Sequence, residues 1–467
     1  MDWILLCRAW TCVPCEQGNM SFKQREVCCV YRQTKPLPGP NNNRFNVHQH
    51  FTCTSANVVY VLVCKRCNIL YVGETKRRLA DRVTEHLRSI KQNLPGFPVA
   101  THFNPPSTCS IRDLMVSAAI SCRGSDHDRL AAENRLIMKL GTLSPHGLSR
   151  MAEKNRYATF SNGLKVPLIG LGTWKSEPGE VKKAIKAAID AGYRHIDGAY
   201  SYQNEVEVGE AYKEKMADGT VKREELFVTT KIWGHFYRPE RVEHALRLSL
   251  KDLQLDYVDL YLMHSPMAVQ YKGDKEIFPS GDDGQPLLDD VHYTETWKAM
   301  EKLVEKGLAK SIGVSNFNVS QMKEVLKIAT VPIAMNQVEN HPCINQKELI
   351  DFCKSKNIII TAYSPLGSPD RAWASDKDPN LREHPLVKEI ADAKGCTPVQ
   401  VLIAYHLCQG IVCIPKSVTP ARIQQNFLAL DVNLSDADIN KLDTLASDYR
   451  ACPWDFWSHH VNYPFKE

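Results

Sequence analysis

No apolar run in this sequence approaches the roughly 18 residues needed to cross a membrane, so no membrane role is expected. The start, MDWILLCRAW, has a short apolar patch but neither a basic n-region nor a clear small-residue cleavage site, which reads against a signal peptide. No G-x-G-x-x-G opens a helix. The nearest match, GLGTWK (170–175), ends in lysine and runs on towards Pro178. A dinucleotide, if one binds, therefore does not bind in Rossmann fashion. Acidic residues are scarce at the front. Residues 1–150 hold 10 Asp/Glu against 20 Lys/Arg, whereas residues 151–467 hold 43 against 38.

Cysteine follows the same division, with 10 of 16 before residue 151. The rest of the composition, 43% hydrophobic and 24% charged over 467 residues, suits a globular protein of two or more domains. The expected division is a Cys-rich, loop-rich leader at 1–49, a small α+β domain at 50–150 and a larger α/β domain at 151–467. The basic front either favours a polyanion such as nucleic acid or presents a solvated basic surface. Cysteines without paired spacing in the larger domain point to a reducing compartment, most simply the cytosol.

In the front, TKPLPGPNNNRFN (34–46) reads as a loop. Cys12 and Cys15 form CVPC, Cys28 and Cys29 are adjacent, Cys53 follows, and Cys64 and Cys67 form CKRC. Such tight pairs are spaced for a zinc knuckle, or they are free buried thiols. VVYVLVC (58–64) and ILYVG (69–73) read as a hairpin. ETKRRLADRVTEHLRSI (74–90) follows as a helix with Leu79, Val83, Leu87 and Ile90 on one side.

Over roughly 50–148 these residues resemble the GIY-YIG endonucleases, particularly those attached to mobile-element reverse transcriptases. Val58-Val59-Tyr60 stands for the GIY, its glycine replaced by valine, and Tyr71-Val72-Gly73 for the YIG. The resemblance implies that Arg82 and His86 serve on the helix and that Glu133 holds a divalent metal, Mg2+, with nucleic acid as partner. In that chemistry a tyrosine helps activate water and an arginine offsets phosphate charge. The alternative is a mobile-element fragment joined ahead of an unrelated enzyme.

The larger domain alternates strand and helix signals. Eight strand-like runs appear: LIGLGTW, RHIDGA, LFVTTKIW, YVDLYLMH, AKSIGVSNF, AMNQVENHP, IIITAYSPLG and IVCIPKS. Helix-period segments separate them, such as RPERVEHALRLSLKDLQ, with Val242, Leu246, Leu250 and Leu253 at helical spacing. Eight repeats in this length predict a closed (β/α)8 TIM barrel. Chemistry in such barrels sits at the carboxyl ends of the strands. Asp197 and Tyr202 fall at the end of RHIDGA and in the loop after it, Lys231 ends LFVTTKIW, and His264 ends YVDLYLMH. One acid, one phenol, one amine and one imidazole are expected to share a site. Each by itself reads equally as an ion pair or a core histidine. SPLGSPD (364–370) and IPKSVTPARIQQN (414–426) offer hydroxyls, Lys416 and Arg422 near a helix start, which suits phosphate or simply surface ion pairs.

Residues 157–467, through GLGTWKSEPG, YRHIDGA, GVSNF, TAYSPLGSPDRAW and the closing YPF, resemble the aldo-keto reductases of the aldehyde and aldose reductase group. The resemblance implies NADPH-dependent reduction of aldehydes, and perhaps ketones, by a monomeric barrel. It implies Tyr202 as proton donor, Lys231 and Asp197 as its paired supports, and His264 as the group orienting the carbonyl. Lys231 is expected to lower the Tyr202 pKa. For the cofactor it implies Ser315, Asn316 and Gln337 on the nicotinamide amide and Tyr363 under the ring. Ser364, Leu366, Ser368 and Asp370 would follow the pyrophosphate. Lys416, Ser417, Val418, Thr419, Arg422, Gln425 and Asn426 would surround the 2′-phosphate, and Thr173 and Trp174 would stand at the mouth. Ser265 replaces a tryptophan usual in the group, and Gly198 and Asn340 replace common cysteines, so one aromatic wall is expected to be lost. Trp454, Phe456 and Trp457 either rebuild an apolar lid or pack on the barrel, and 267–292 is a second expected lid.

Overall fold

The computed structural model describes residues 37–38, 44–45, 56–64, 66–67, 70–92, 98–104, 109, 114–121, 133 and 156–466. Cys12, Cys15, Cys28, Cys29 and Cys53 lie outside them. The chain divides into two compact units, Met1–Ala152 and Glu153–Glu467.

In the first unit, β1 (Leu37–Pro38) pairs antiparallel with β2 (Arg44–Phe45), inside the stretch expected to be loop. β3 (Val58–Cys64) and β4 (Leu70–Thr75) form the expected antiparallel hairpin. β5 (Leu114–Ser121) pairs with the other side of β3, so β3 is central. That position explains why all seven of its residues are buried. The helix begins later than its sequence predicts, at Leu79. Glu74 and Thr75 are drawn into β4 instead, opposite Val59 and Val58. The helix Leu79–Lys91 lays Leu79, Val83 and Ile90 into a core with Val58, Tyr60 and Leu62.

The second unit opens with a hairpin, β6 (Tyr157–Thr159) and β7 (Lys165–Pro167). Eight strands follow: β8 (Leu171–Gly172), β9 (His195–Asp197), β10 (Phe227–Ile232), β11 (Val258–Met263), β12 (Ala309–Ser315), β13 (Ile333–Glu339), β14 (Ile359–Tyr363) and β15 (Val412–Cys413). They are hydrogen-bonded in sequential order, all parallel. Parallel bridges Ile169 to Cys413 and Gly172 to Lys416 join the first strand region to the last, closing the barrel. Each of the eight predicted runs supplies one strand. β10 and β11 are buried along their whole length, as a barrel wall covered by helices requires.

The outer helices follow from local chemistry. The helix Pro239–Leu253 starts on proline, carries Glu240 in its first turn and Lys251 in its last, and ends at Gln254 in the left-handed region. Its inner face is Val242, Ala245, Leu246, Leu250 and Leu253. Full burial of such side chains stabilises by roughly 1.5–3 kcal/mol each. The neighbouring helix Glu205–Ala217 approaches it so closely that a Cβ on Gly209 would lie 2.6 Å from the carbonyl carbon of Leu253. Both partners at that crossing are backbone and cannot swing aside. Gly209→Ala is therefore expected to lower Tm by several degrees and reduce soluble yield, which thermal denaturation of the purified variant would measure.

Candidate active site

The ends of three consecutive strands, β9, β10 and β11, bring four side chains to one cavity of about 650 Å3. β9 ends on Asp197, which is 1% exposed, and β10 brings up Lys231, which is fully buried. Lys231 Nζ donates to Asp197 Oδ1 at 2.6 Å, to the Gly198 carbonyl at 2.8 Å and to Tyr202 Oη at 3.3 Å. Tyr202 is carried by a short 3-10 turn, Tyr200–Tyr202, directly after β9. His264 follows β11, its ring centroid 5.6 Å from that of Tyr202, with Nδ1 3.3 Å from the Ser201 hydroxyl. Asp197, Tyr202 and His264 line the cavity, and Lys231 stands behind them. The four side chains are thus brought together.

Burial shapes the titration of this group. It pushes the Tyr202 phenol well above its ordinary pKa, helped by the Asp197 charge. The phenol is expected from its Lys231 neighbour to be more acidic than usual; desolvation and the Asp197 charge move it the other way. Burial also pulls Lys231 down, opposed by Asp197, and holds His264 well below its usual value, so its imidazole is neutral.

The surrounding amides are already engaged. Gln337 Nε2 donates to Asp197 Oδ2 at 2.7 Å, filling the oxygen that Lys231 leaves free. Ser315 Oγ donates to the Gln337 carbonyl at 2.8 Å. Asn316 Nδ2 donates to the His264 carbonyl at 2.9 Å, and its Oδ1 accepts from Tyr363 Oη at 2.8 Å. Thr173 Oγ1 donates to the Asp197 carbonyl, and Trp174 and Thr173 both line the cavity.

Away from this end the cavity is lined by Ser364, Leu366, Ser368, Asp370 and Lys416. Ser364 and Ser368, both at positive φ, have hydroxyls 2.6 Å apart. Arg371 donates to the Gly367 and Ser368 carbonyls and braces this loop from behind. Lys416 Nζ donates to the Lys175 carbonyl at 3.0 Å and lies 3.9 Å from Asp370. Ser417 is buried and accepts from the Thr419 amide at 3.2 Å. Thr419 stands at the N-cap position of the helix Pro420–Phe427 without a side-chain capping bond, and in that helix Arg422 and Gln425 are exposed and Asn426 is buried. Val418 is half-buried between them. Ser417, Val418, Thr419, Arg422, Gln425 and Asn426 lie beyond the cavity lining.

Of the two expectations for the apolar wall, Trp454 and Phe456 follow the first and line the cavity, and Trp457 follows the second. Ser265 is buried, its hydroxyl turned onto Met267, and it does not line the cavity. The aromatic face comes instead from Trp454, whose ring centroid is 5.9 Å from His264 and 5.8 Å from Trp233. Phe456 and Phe278 also line the cavity, whereas Trp457 is buried against Trp233. Segment 267–292 is held by Trp233 Nε1 donating to the Ile277 carbonyl. Sequence reasoning missed Trp233, Ser201 and the Gly198 carbonyl. Trp233 was within reach, since it ends the same strand run as Lys231.

In the first unit, Tyr60 Oη is 2.7 Å from His86 Nε2 and accepts from Arg82 Nε at 3.2 Å. Glu133 is buried, and its charge acts on Tyr60 and Tyr71. Burial, helped by the Tyr71 and Glu133 charges, pushes the Tyr60 phenol well above its ordinary range, and Arg82 opposes it.

A closed barrel with an ammonium, a carboxylate, a phenol and a neutral imidazole at one cavity defines a barrel oxidoreductase built for carbonyl chemistry. Residues 168–447 match the aldo/keto reductase family, and the chain belongs to that family. It is an NADP-dependent oxidoreductase that reduces carbonyl groups. It is 48% identical over 323 residues to aldo-keto reductase family 1 member A1 of Gallus gallus, covering 67% of this chain and 98% of that protein. It is 52% identical over 289 residues to the member of that name in Cricetulus griseus, covering 62% of this chain and 89% of that protein. Among solved structures it resembles the aldose reductase from Schistosoma japonicum, with a TM-score of 0.63 and 42% identity, covering 67% of this chain and 99% of that one.

Glu205 sits just beneath the site, fully buried, accepting from Thr230 Oγ1 at 2.5 Å and Ser249 Oγ at 2.7 Å. Burial pushes its carboxyl up to about 7 from an ordinary 4.5. A carboxyl whose folded pKa is raised stabilises the fold fully below its unfolded pKa and loses that contribution as pH rises through the folded one. The stability of the wild type relative to Glu205→Gln is therefore expected to fall by about 3 kcal/mol between pH 4 and pH 8. Denaturant melts of both proteins across that window would show it.

Proposed function

We propose that the barrel uses NADPH to reduce aldehydes, and ketones, to alcohols, with Tyr202 as proton donor. The observation that carries this reading is that Lys231 Nζ contacts Asp197 and Tyr202 together beside one cavity. Reduction places negative charge on the carbonyl oxygen, and a donor must meet it. Lys231 donates to the phenol oxygen, so the phenol's own proton stays available for that oxygen. As the proton leaves, the ammonium offsets the charge forming on Tyr202. The raised pKa of the resting phenol keeps the proton in place until then. The Ser201 hydroxyl lies 3.3 Å from His264 Nδ1, and the tautomer with its proton on Nε2 would offer a second hydrogen bond to the same oxygen.

The cavity fits NADPH. It extends from the four-residue cluster to Ser364, Ser368, Asp370 and Lys416. When bound, NADPH supplies the hydride. Ser315, Asn316 and Gln337 would hold its amide, with Tyr363 as the platform for the ring. Ser364, Leu366, Ser368 and Asp370 would line the pyrophosphate path. Lys416, Ser417, Val418, Thr419, Arg422, Gln425 and Asn426 would hold the 2′-phosphate at a helix start. Thr173 and Trp174 would stand at the shared mouth. The reading takes 151–467 as the enzyme, acting as a monomer in the cytosol. The six cysteines of the barrel, Cys343, Cys353, Cys396, Cys408, Cys413 and Cys452, form no disulfide, which supports a reducing compartment.

Tyr202→Phe is expected to lower kcat by at least about 100-fold. NADPH binding, read by quenching of protein fluorescence, should be unaltered, and near-normal turnover would end the proton-donor assignment. Arg422→Ala should weaken NADPH while sparing NADH, a difference that paired titrations would resolve.

A second reading concerns 50–150 as a Mg2+-dependent nucleic-acid-cleaving domain of GIY-YIG type. It is favoured by the contact of Tyr60 with both Arg82 and His86 and by the action of Glu133 on Tyr60 and Tyr71. Glu133 would hold the metal. Nicking that needs Mg2+ and disappears in Glu133→Ala supports it, and intact DNA across several substrates removes it.

A further inference from the structure

We propose that Cys64, Cys67, His102 and Cys109 form a four-ligand structural zinc site in the first unit. Of these four residues, sequence spacing pointed to Cys64 and Cys67. The fold adds an imidazole and a third thiol from far along the chain. One ligand atom from each residue lies within 4.8 Å of all the others. Cys67 Sγ is 3.4 Å from His102 Nε2 and 3.8 Å from Cys109 Sγ.

Those separations match the edges of a coordination tetrahedron. Zinc sits about 2.3 Å from thiolate sulfur and about 2.0–2.1 Å from imidazole nitrogen. In a regular tetrahedron this makes sulfur–sulfur edges of about 3.8 Å and sulfur–nitrogen edges of about 3.6 Å. No disulfide joins Cys64, Cys67 and Cys109 to one another, so none accounts for their approach. Three soft thiols and an imidazole select zinc over Mg2+ or Ca2+. Four protein ligands leave no open position, so the ion would be structural and not catalytic.

The placement shows what such an ion would do. Cys64 is the last residue of β3, and Cys67 lies in the turn to β4. His102 ends the short helix Pro98–His102, and Cys109 is buried in the same apolar cluster as Cys64. The ion would clip the hairpin turn to the helix and to the segment leading into β5. Cys67 is exposed and His102 half-buried, which leaves a path for entry. Among the described residues, 13 buried side chains form the cluster that contains Cys64 and Cys109, so an ion held there would staple this core directly. This inference does not depend on the nuclease reading.

The test uses the full chain, purified and held under reductant. Zinc is measured by mass spectrometry, and Co2+ is then exchanged in and its visible spectrum recorded. The expected result is a tetrahedral spectrum of three thiolates and one imidazole. Cys67→Ser/Cys109→Ser should lose one metal equivalent, whereas Cys12→Ser/Cys15→Ser should lose none from this site. His102→Cys should keep the metal and move the Co2+ spectrum to that of four thiolates, which a misfolded unit would not do. Aldehyde reduction should be unaltered in every variant, showing that the barrel remains folded. A chain that takes up no metal overturns the proposal. So does a Cys67→Ser/Cys109→Ser variant that keeps its full content, or a His102→Cys variant with an unshifted spectrum.

Discussion

A fully buried ammonium is the constraint around which the barrel is arranged. Lys231 has no contact with water, and its charge survives only because Asp197 lies 2.6 Å away. Taking two ions out of water costs several kcal/mol each, and attraction offsets this only when the remaining hydrogen-bonding positions are filled. Here they are. The Gly198 carbonyl takes a second Lys231 proton, and Gln337 fills the other Asp197 oxygen. One ion pair thus ties β9, β10 and β13 together at their carboxyl ends. Tyr202 is the remaining Lys231 contact and the one nearest the cavity.

A second layer keeps that arrangement in register. Asn316, just after β12, joins the His264 carbonyl beside neighbouring β11 to the Tyr363 hydroxyl at the end of β14, two strands away on the other side. Glu339, at the end of β13, is fully buried and accepts from the amides of Ala451 and Cys452 at 2.6 and 2.8 Å. The carboxyl-terminal loop is therefore anchored to the barrel wall where it delivers Trp454. An aromatic face lost at Ser265 is supplied from a place nearly 200 residues later in the chain. The ion pair and the aromatic wall thus come from different parts of the fold.

The barrel was highly legible because its strands are buried on both faces and appear as apolar runs. Asp197, Lys231 and His264 could be read for the same reason, since each interrupts such a run at the end where barrel loops begin. The first unit was harder. The start of its helix was masked because Glu74 and Thr75 suit a helix start by type but are claimed by β3 through strand pairing. β5 went unnoticed because LMVSAAIS is a weak strand pattern until a central strand needs a partner.

Sequence alone determined the order of eight strands, the residue types at their ends and the absence of a glycine-rich dinucleotide turn. These follow from local periodicity and composition, which every segment carries within itself. Only the tertiary structure decided the rest. It set the raised pKa of Tyr202, the choice of Gln337 as partner to Asp197, the aromatic wall at Trp454, and the meeting of Cys64 and Cys67 with His102 and Cys109. Each depends on distance and desolvation between groups far apart in the chain, and no spacing along a sequence specifies either.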